Sequence, residues 1–280
     1  LLANLQRDGY LYLPGLIPKQ AVAAARNLVL GRFADKGDVL DPGRPLQEGI
    51  LAARCGMGCV PFLEGVNDVT HHVDMLRVVE SDEARALFRA VLGTEVATFS
   101  YKWLRGMPRE AATGIHVDRV YMGRGSCLVH TMWVPLQDTP IEVGGLAVLP
   151  GSHTHPDFRH IQDTYGELDA EAVNLDGTGW LTEDPFEVAR AGWVTEDFAM
   201  GDVVVFGMRT LHGSTANTTD HVRLSCDVRY QPAADTMDPR YTAAAAAQPP
   251  ASKFGAWNTD EKTTPAAGVT MAELRRRWGI

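Results

Sequence analysis

His116-Val117-Asp118 is answered 94 positions after the aspartate by a second histidine, His212, and then by Arg223. Residues two apart on an extended strand point to the same face. His116 and Asp118 can therefore offer an imidazole nitrogen and a carboxylate oxygen to one point in space. His212 completes the set only if a distant strand is brought alongside. Two histidines and one carboxylate leave three positions of an octahedral ion open, as non-haem Fe(II) oxygenases require.

The dipeptide spacing alone decides little, because the chain holds three such pairs: His72-Val73-Asp74, His116-Val117-Asp118 and His155-Pro156-Asp157. Context separates them. Pro156 removes a backbone donor and fits a turn better than a central strand. His72 sits in a polar stretch without regular alternation and reads as surface. His116 follows Thr113-Gly114 and shortly precedes the apolar strand that runs from Ser126 to Val134.

The downstream half carries more weight. Gly201-Asp202 is a turn feeding the β-branched run Val203-Val204-Val205. Leu211-His212-Gly213-Ser214 then places a histidine at the lip of the next strand, before turn-forming Asn217 to Asp220. On the strand beyond, Arg223 and Ser225 share one face. A guanidinium beside a metal can hold a carboxylate through two parallel hydrogen bonds, and a neighbouring hydroxyl adds a third. The ligand this calls for is a small dicarboxylate, one end chelating the metal and the other meeting Arg223.

These residues resemble the phytanoyl-CoA dioxygenase-like family of Fe(II)/2-oxoglutarate oxygenases over roughly residues 5 to 232. His116, Asp118 and His212 match the family's metal ligands. Arg223, eleven residues past His212, matches its 2-oxoglutarate arginine. His212-Gly213-Ser214 with Asn217 resembles its His-Gly-Ser-x-x-Asn turn, and Gly144-Gly145-Leu146 through Pro150-Gly151-Ser152-His153 resembles the signature between the ligands. Trp133 stands where members often place a tryptophan beside the cosubstrate, and Asp8 to Gly15 resembles the opening strand. Two departures stand out. Val117 replaces a common Gln, and the extra contact to 2-oxoglutarate is not fixed, with Tyr101, Lys102 and Arg105 all candidates.

The resemblance implies an Fe(II)- and 2-oxoglutarate-dependent dioxygenase that hydroxylates a C–H bond of a small molecule, using dioxygen and releasing succinate and CO₂. His116, Asp118 and His212 would hold the iron. Arg223, helped by Ser214 or Ser225, would fix the far carboxylate, with Trp133 alongside. Related halogenases lack the carboxylate ligand, so Asp118 points to hydroxylation or another oxidative outcome. Desaturation, cyclisation or epimerisation by the same machinery remains open, as does a metal hydrolase or a non-catalytic binding jelly roll. No residue singles out a substrate.

The chain reads as mainly β with flanking helices around a double-stranded β-helix, the cupin-like jelly roll. Strands are expected at 96–105, 114–118, 126–136, 145–149, 193–197, 202–206, 211–217 and 222–231. Helices are expected from Pro18 to Phe33 and, capped by Ser81 and stopped by Gly93, to Leu92. Residues 35–72 read as a long loop. We expect one oxygenase domain over 1–280, with a jelly-roll core at about 96–232, a lid at 154–192 carrying Trp180 and Phe186, and a C-terminal extension at 233–280. In that extension, Ala243 to Ala247 is of low complexity, Pro249-Pro250 would break any helix, and Met271 to Trp278 could be a short one, with Arg275-Arg276-Arg277 capping its end or solvated.

A net charge of −9 disfavours nucleic acid as a partner, and no apolar run approaches ~18 residues, so no membrane span is expected. The default expectation is a cytoplasmic location; oligomeric state is not readable. Cys55 and Cys59 lack a partner pair for zinc and read as reduced thiols. His130 reads as a core histidine, and His153, His155 and His160 as a proline-broken loop rather than a metal cluster. Arg119 and Tyr121, directly after the metal motif, stand between substrate contact and a supporting role.

Overall fold

The computed structural model describes residues 1–56, 58–61, 63–246 and 268–280. Its strands are β1 (Tyr10–Leu13), β2 (Val96–Thr98), β3 (Trp103–Met107), β4 (His130–Pro135), β5 (Leu146–Val148), β6 (Leu175–Asp176), β7 (Val203–Gly207), β8 (His212–Ser214), β9 (Arg223–Pro232) and β10 (Val269–Thr270). The main sheet runs β1-β7-β4-β9-β2, with β3 also paired to β9, and every pairing in it is antiparallel. A smaller sheet joins β5 to β8. Isolated bridges extend it from Val148 to Val194, from His212 to His116 and from Ile115 to Thr182.

Helices α1 (Leu2–Asp8), α2 (Lys19–Lys36), α3 (Val73–Val79) and α4 (Asp82–Leu92) lie at the start of the chain. Gly37 ends α2 in the left-handed region at φ 83°, a conformation open to glycine without a Cβ penalty. The Ser81 hydroxyl accepts from Ala84 N and opens α4 as expected. His72, read as surface, is the N-cap of the unforeseen α3 and accepts from Asp74 N.

β9 explains how the two layers meet. All ten of its residues are buried, and its side chains alternate. Leu224, Cys226, Val228 and Tyr230 join the apolar core formed with Met132, Val134, Val203 and Val205 and with Val29, Phe33, Met75 and Phe88 of the helices. Tyr230 stacks on Phe88 at 4.1 Å and its hydroxyl donates to Val79 O. Arg223, Ser225, Asp227, Arg229 and Gln231 occupy the other face of the strand. Polar side chains thus line the space between the sheets, while the apolar set is covered by helices.

Several expected elements are shorter than the sequence pattern suggested. The 96–105 run is two strands, broken where Phe99 to Lys102 turn. The 126–136 run begins only at His130, the 211–217 run ends at Ser214, and 193–197 contributes a single bridge at Val194. The 114–118 run is also only bridged. Asp118 takes helical backbone angles (φ −62°, ψ −27°) and opens α5 (Arg119–Met122), so His116 and Asp118 do not share one continuous strand. Short helices follow: α6 (Ile141–Gly144), α7 (Arg159–Asp163), α8 (Pro185–Val188), α9 (Ala243–Ala246) and α10 (Met271–Trp278).

The 154–192 segment is thus an assembly of short elements rather than a bare loop. Its Tyr165, Leu168, Leu175 and Leu181 form a second core with Ile115, Val117 and Val120, closed by Leu274 of α10. β10 pairs in parallel with β6. All three arginines lie in the last turn of α10, as expected, and Arg275 also reaches Glu187 at 2.9 Å. Cys55 and Cys59, expected as free thiols, are disulfide-bonded, with their Cα atoms 5.2 Å apart. Ala247 and Pro249-Pro250 lie outside the described residues. Among the described residues no helix is long and apolar enough to cross a membrane.

Candidate metal and cosubstrate site

His116 and His212 are drawn together by their backbones. Each donates its N–H to the other's carbonyl, at 2.9 and 3.0 Å, the paired bonds of a hydrogen-bonded antiparallel site. Their rings consequently lie 4.1 Å apart between centroids. His116 Nδ1 sits 2.8 Å from Gly114 O, and His212 Nδ1 sits 3.0 Å from Thr210 O. A carbonyl only accepts, so each Nδ1 carries the proton and each Nε2 keeps its lone pair. This is the usual outer support of a metal-binding imidazole.

Asp118 meets them from the helical turn. Its Oδ1 is 3.8 Å from Nε2 of each histidine, and the three ligand atoms lie within 4.8 Å of one another. No other group of His, Cys, Asp and Glu with metal-binding spacing occurs among the described residues. Its Oδ2 accepts from the Thr131 hydroxyl and from Arg229 Nη2, the latter at 2.9 Å. Burial pushes the His116 pKa down to about 3, with His212 adding to the effect, and burial lowers that of His212. Burial alone would raise the Asp118 carboxyl, but Arg229, both imidazoles and Thr131 outweigh it and hold it well below the usual range. The site is therefore two neutral imidazoles and one carboxylate, a donor set that suits a ferrous ion with three positions left open.

Across the gap, Arg223 is 2% exposed and has no carboxylate partner among the described residues. It donates to the Ser225 hydroxyl, and its Nε is buried without a partner. Burial, then Arg105 nearby, lowers its pKa to about 10. Asp227 offsets this only in part; a buried guanidinium without a direct carboxylate contact is costly, and an incoming carboxylate lowers that cost. Ser214 stands on the other sheet, two residues past His212, where its hydroxyl accepts from Thr113 N. Trp133 is buried on the same face of β4 as Thr131, packed edge-on against Phe198 at 4.9 Å.

The three candidates for a further contact separate cleanly. Lys102 is buried against Glu80 and Phe99 O, and Tyr101 packs with Trp103 and Tyr241. Arg105 lies opposite Ser225 in register and pairs with Glu64 at 2.9 Å and Asp227 at 3.5 Å. Arg119 pairs with Glu167, and the Tyr121 hydroxyl donates to Thr178 O while its ring lies 5.7 Å from His116. His130 and His155 meet backbone groups two residues away, whereas His153 Nε2 reaches Gln6 O and His160 Nε2 reaches Trp278 O. Trp180 lies against Gly114, next to His116, whereas Phe186 is 62% exposed.

Residues 5–225 match the phytanoyl-CoA dioxygenase (PhyH) family. The chain belongs to that family. It is a non-haem iron, 2-oxoglutarate-dependent dioxygenase with a jelly-roll core. Among its relatives is 1-deoxypentalenic acid 11-beta-hydroxylase of Streptomyces exfoliatus, 26% identical over 80% of this chain and 78% of that one. The α-ketoglutarate-dependent epimerase SnoN from nogalamycin biosynthesis superposes with a TM-score of 0.56 at 23% identity, covering 96% of this chain and 91% of that one. EctD from S. alaskensis, solved with 2-oxoglutarate and 5-hydroxyectoine, gives 0.55 at 22% identity over 82% and 74%. Arg229, Thr131, Asp227 and Glu64 were missed from sequence, although the alternation that marks Arg223 and Ser225 continues through Asp227 and Arg229.

Proposed function

We propose that this PhyH-family enzyme hydroxylates a C–H bond of a small natural-product or lipid-like molecule while 2-oxoglutarate is converted to succinate and CO₂. The reading assigns the metal to His116, Asp118 and His212. The far carboxylate of 2-oxoglutarate goes to Arg223, with Ser225 and Ser214 adding hydroxyls and Trp133 flanking it. Arg223 carries the argument: a metal hydrolase has no use for a buried, carboxylate-free guanidinium across from the metal ligands. The bound iron supplies oxygen activation coupled to decarboxylation of the oxo acid. The protein's own part is to hold both imidazoles as Nδ1–H tautomers, orient Asp118, anchor the dicarboxylate and exclude water.

We take the chain as one oxygenase domain, with 154–192 as the lid and Trp180, beside Gly114, as its inner face. The exposed Phe186 is the weaker of the two lid candidates. The negative net charge supports a small molecule rather than nucleic acid as partner. A second reading keeps the cofactors and changes the outcome. It is favoured by the likeness to an epimerase and to the carbocyclase SnoK of nogalamycin biosynthesis, which superposes with a TM-score of 0.57. Product mass separates the two.

The test is an anaerobic titration of metal-free protein with Fe(II) and 2-oxoglutarate, following the charge-transfer band of a chelated oxo acid. The band should require both components. Arg223→Ala should weaken 2-oxoglutarate binding by about 10- to 100-fold, the loss of a charged hydrogen-bonding partner. Iron binding without any band in the wild-type protein would defeat the cosubstrate assignment.

A further inference from the structure

We propose that Arg229, together with Thr131, is a positioning residue that confines Asp118 to one free oxygen and so sets how many coordination positions remain for the cosubstrate. The proposal rests on the iron and 2-oxoglutarate reading above. A carboxylate has two oxygens and can bind an ion through either or both. Asp118 Oδ1 faces the Nε2 atoms of both histidines at 3.8 Å. Its Oδ2 is turned away and takes two donors, the Thr131 hydroxyl and Arg229 Nη2. Thr131 and Arg229 are direct partners in the β4–β9 register, so the main sheet presents both donors as one unit.

The consequence is a matter of counting. With Oδ2 occupied, the protein supplies three donor atoms and leaves three positions, two for a chelating oxo acid and one for dioxygen. With Oδ2 free, the same carboxylate can chelate through both oxygens and leave only two. Arg229 is built for the first arrangement. It is 1% exposed, its guanidinium carbon lies 3.8 Å above the Trp103 ring, and Asp227 stands 3.5 Å from its Nη1.

Arg229 is also poorly matched for a purely structural part. Its Nε and Nη1 are buried without hydrogen-bond partners, so its described hydrogen bond is the one to Asp118. A buried charge with most of its donors unmet is a weak way to stabilise a fold. Its place is explained by what the remaining nitrogen holds. Two arginines six residues apart on β9 therefore divide the work: Arg223 would meet the far carboxylate of 2-oxoglutarate, and Arg229 faces a carboxylate of the protein itself.

The experiment compares wild type, Arg229→Met, Arg229→Lys and Thr131→Val as full-length chains loaded anaerobically with Fe(II) and titrated with 2-oxoglutarate. Bound iron per chain, the charge-transfer band, 2-oxoglutarate affinity and the thermal midpoint are read together. Arg229→Met, loaded at saturating Fe(II), should bind 2-oxoglutarate about tenfold or more weakly, with the band diminished, a loss of the size that removing an outer-shell partner brings in metal affinity or activity. Arg229→Lys, which keeps a cationic donor, should recover part of the loss, and Thr131→Val should lose less than Arg229→Met.

Wild-type affinity and band in Arg229→Met would overturn the proposal. So would a parallel fall of iron content, 2-oxoglutarate affinity and thermal midpoint without recovery in Arg229→Lys, which is the signature of a structural role. Should Arg229→Met fail to fold, the near-isosteric Thr131→Val decides, and unchanged 2-oxoglutarate affinity there counts against the idea. A wild-type protein that binds iron without a band is a different result: it removes the cosubstrate reading, and the proposal falls with it.

Discussion

Arg229 and Asp118 meet at 2.9 Å with 2% of each side chain exposed, whereas Arg119 and Glu167 meet at 2.7 Å with 25% and 48% exposed. Arg209 reaches the same Glu167 from the turn after β7. The distances are nearly equal and both pair an arginine with a carboxylate, so solvent is what distinguishes the interior of the barrel from the 154–192 segment. Inside, both charges have given up hydration, and each depends on the other to offset that cost. Outside, water stands in for either partner, and the pair adds little. The interior pair has to be explained by function, while the exterior pairs can be exchanged cheaply.

Breaking the interior pair should have the largest effect. Asp118→Ala removes the carboxylate proposed as a metal ligand and strands Arg229 as an uncompensated buried cation. Hydroxylation should be abolished, and the metal-free protein should lose about 3–5 kcal/mol of stability. Denaturant unfolding of the metal-free variant checks the second effect separately from catalysis. Undiminished turnover would remove Asp118 from the ligand set.

The same interior should respond to acid. His116 titrates at about 3 when folded, against ~6.5 in an unfolded chain. Between those values the unfolded chain binds a proton that the folded one refuses, so stability falls as pH drops from about 6.5 toward 3. Asp118, also lowered, adds to the loss once pH passes below the ordinary carboxylate range. Urea unfolding of the metal-free protein at neutral and mildly acid pH measures the slope, and His116→Gln should flatten it. An unchanged slope in that variant would mean that His116 is not held neutral by the fold.

What could be read from sequence follows the same division. His116, Asp118, His212 and Arg223 stand in recognisable spacings, and the alternation of β9 is written in every second residue. The departure of Asp118 from a strand into a helical turn is not. That backbone choice is fixed from outside, with Arg119 N bonded to Met208 O at 3.0 Å. The α10 helix announces itself through Thr270, whose hydroxyl accepts from Glu273 N. Its partners do not, because a parallel pairing of Val269 with Leu175 and an Arg275–Glu187 contact across the chain leave no local trace. Cys55 and Cys59 misled for a related reason: composition argued for thiols, while their pairing in space leaves no trace in it.

The join between the two regions gives a smaller effect than the interior pair. Gly114 precedes His116 by two residues, and a Cβ there would stand 2.6 Å from the Trp180 ring and 2.9 Å from Thr182 O. Gly114→Ala should cost about 1–3 kcal/mol through overpacking and shift the 154–192 segment. Trp180→Ala opens the same contact without a clash. It should change substrate affinity while leaving iron binding intact, and unchanged kinetics would mean that the segment does not act as a lid.

The smallest effect should come from the exterior. Glu167→Gln removes the charge that Arg119 and Arg209 share, yet both arginines keep access to water. Folding stability should change by about 0–1 kcal/mol. A loss several times larger in thermal or urea unfolding would show that the 154–192 segment relies on its ion pairs as the barrel relies on Arg229 and Asp118. A small loss would leave Leu168, Leu175 and Leu181, packed on Ile115 and Val117, as what holds the segment down. In that case added salt should leave the segment's protection from proteolysis unchanged, because apolar burial, unlike an exposed pair, is not screened.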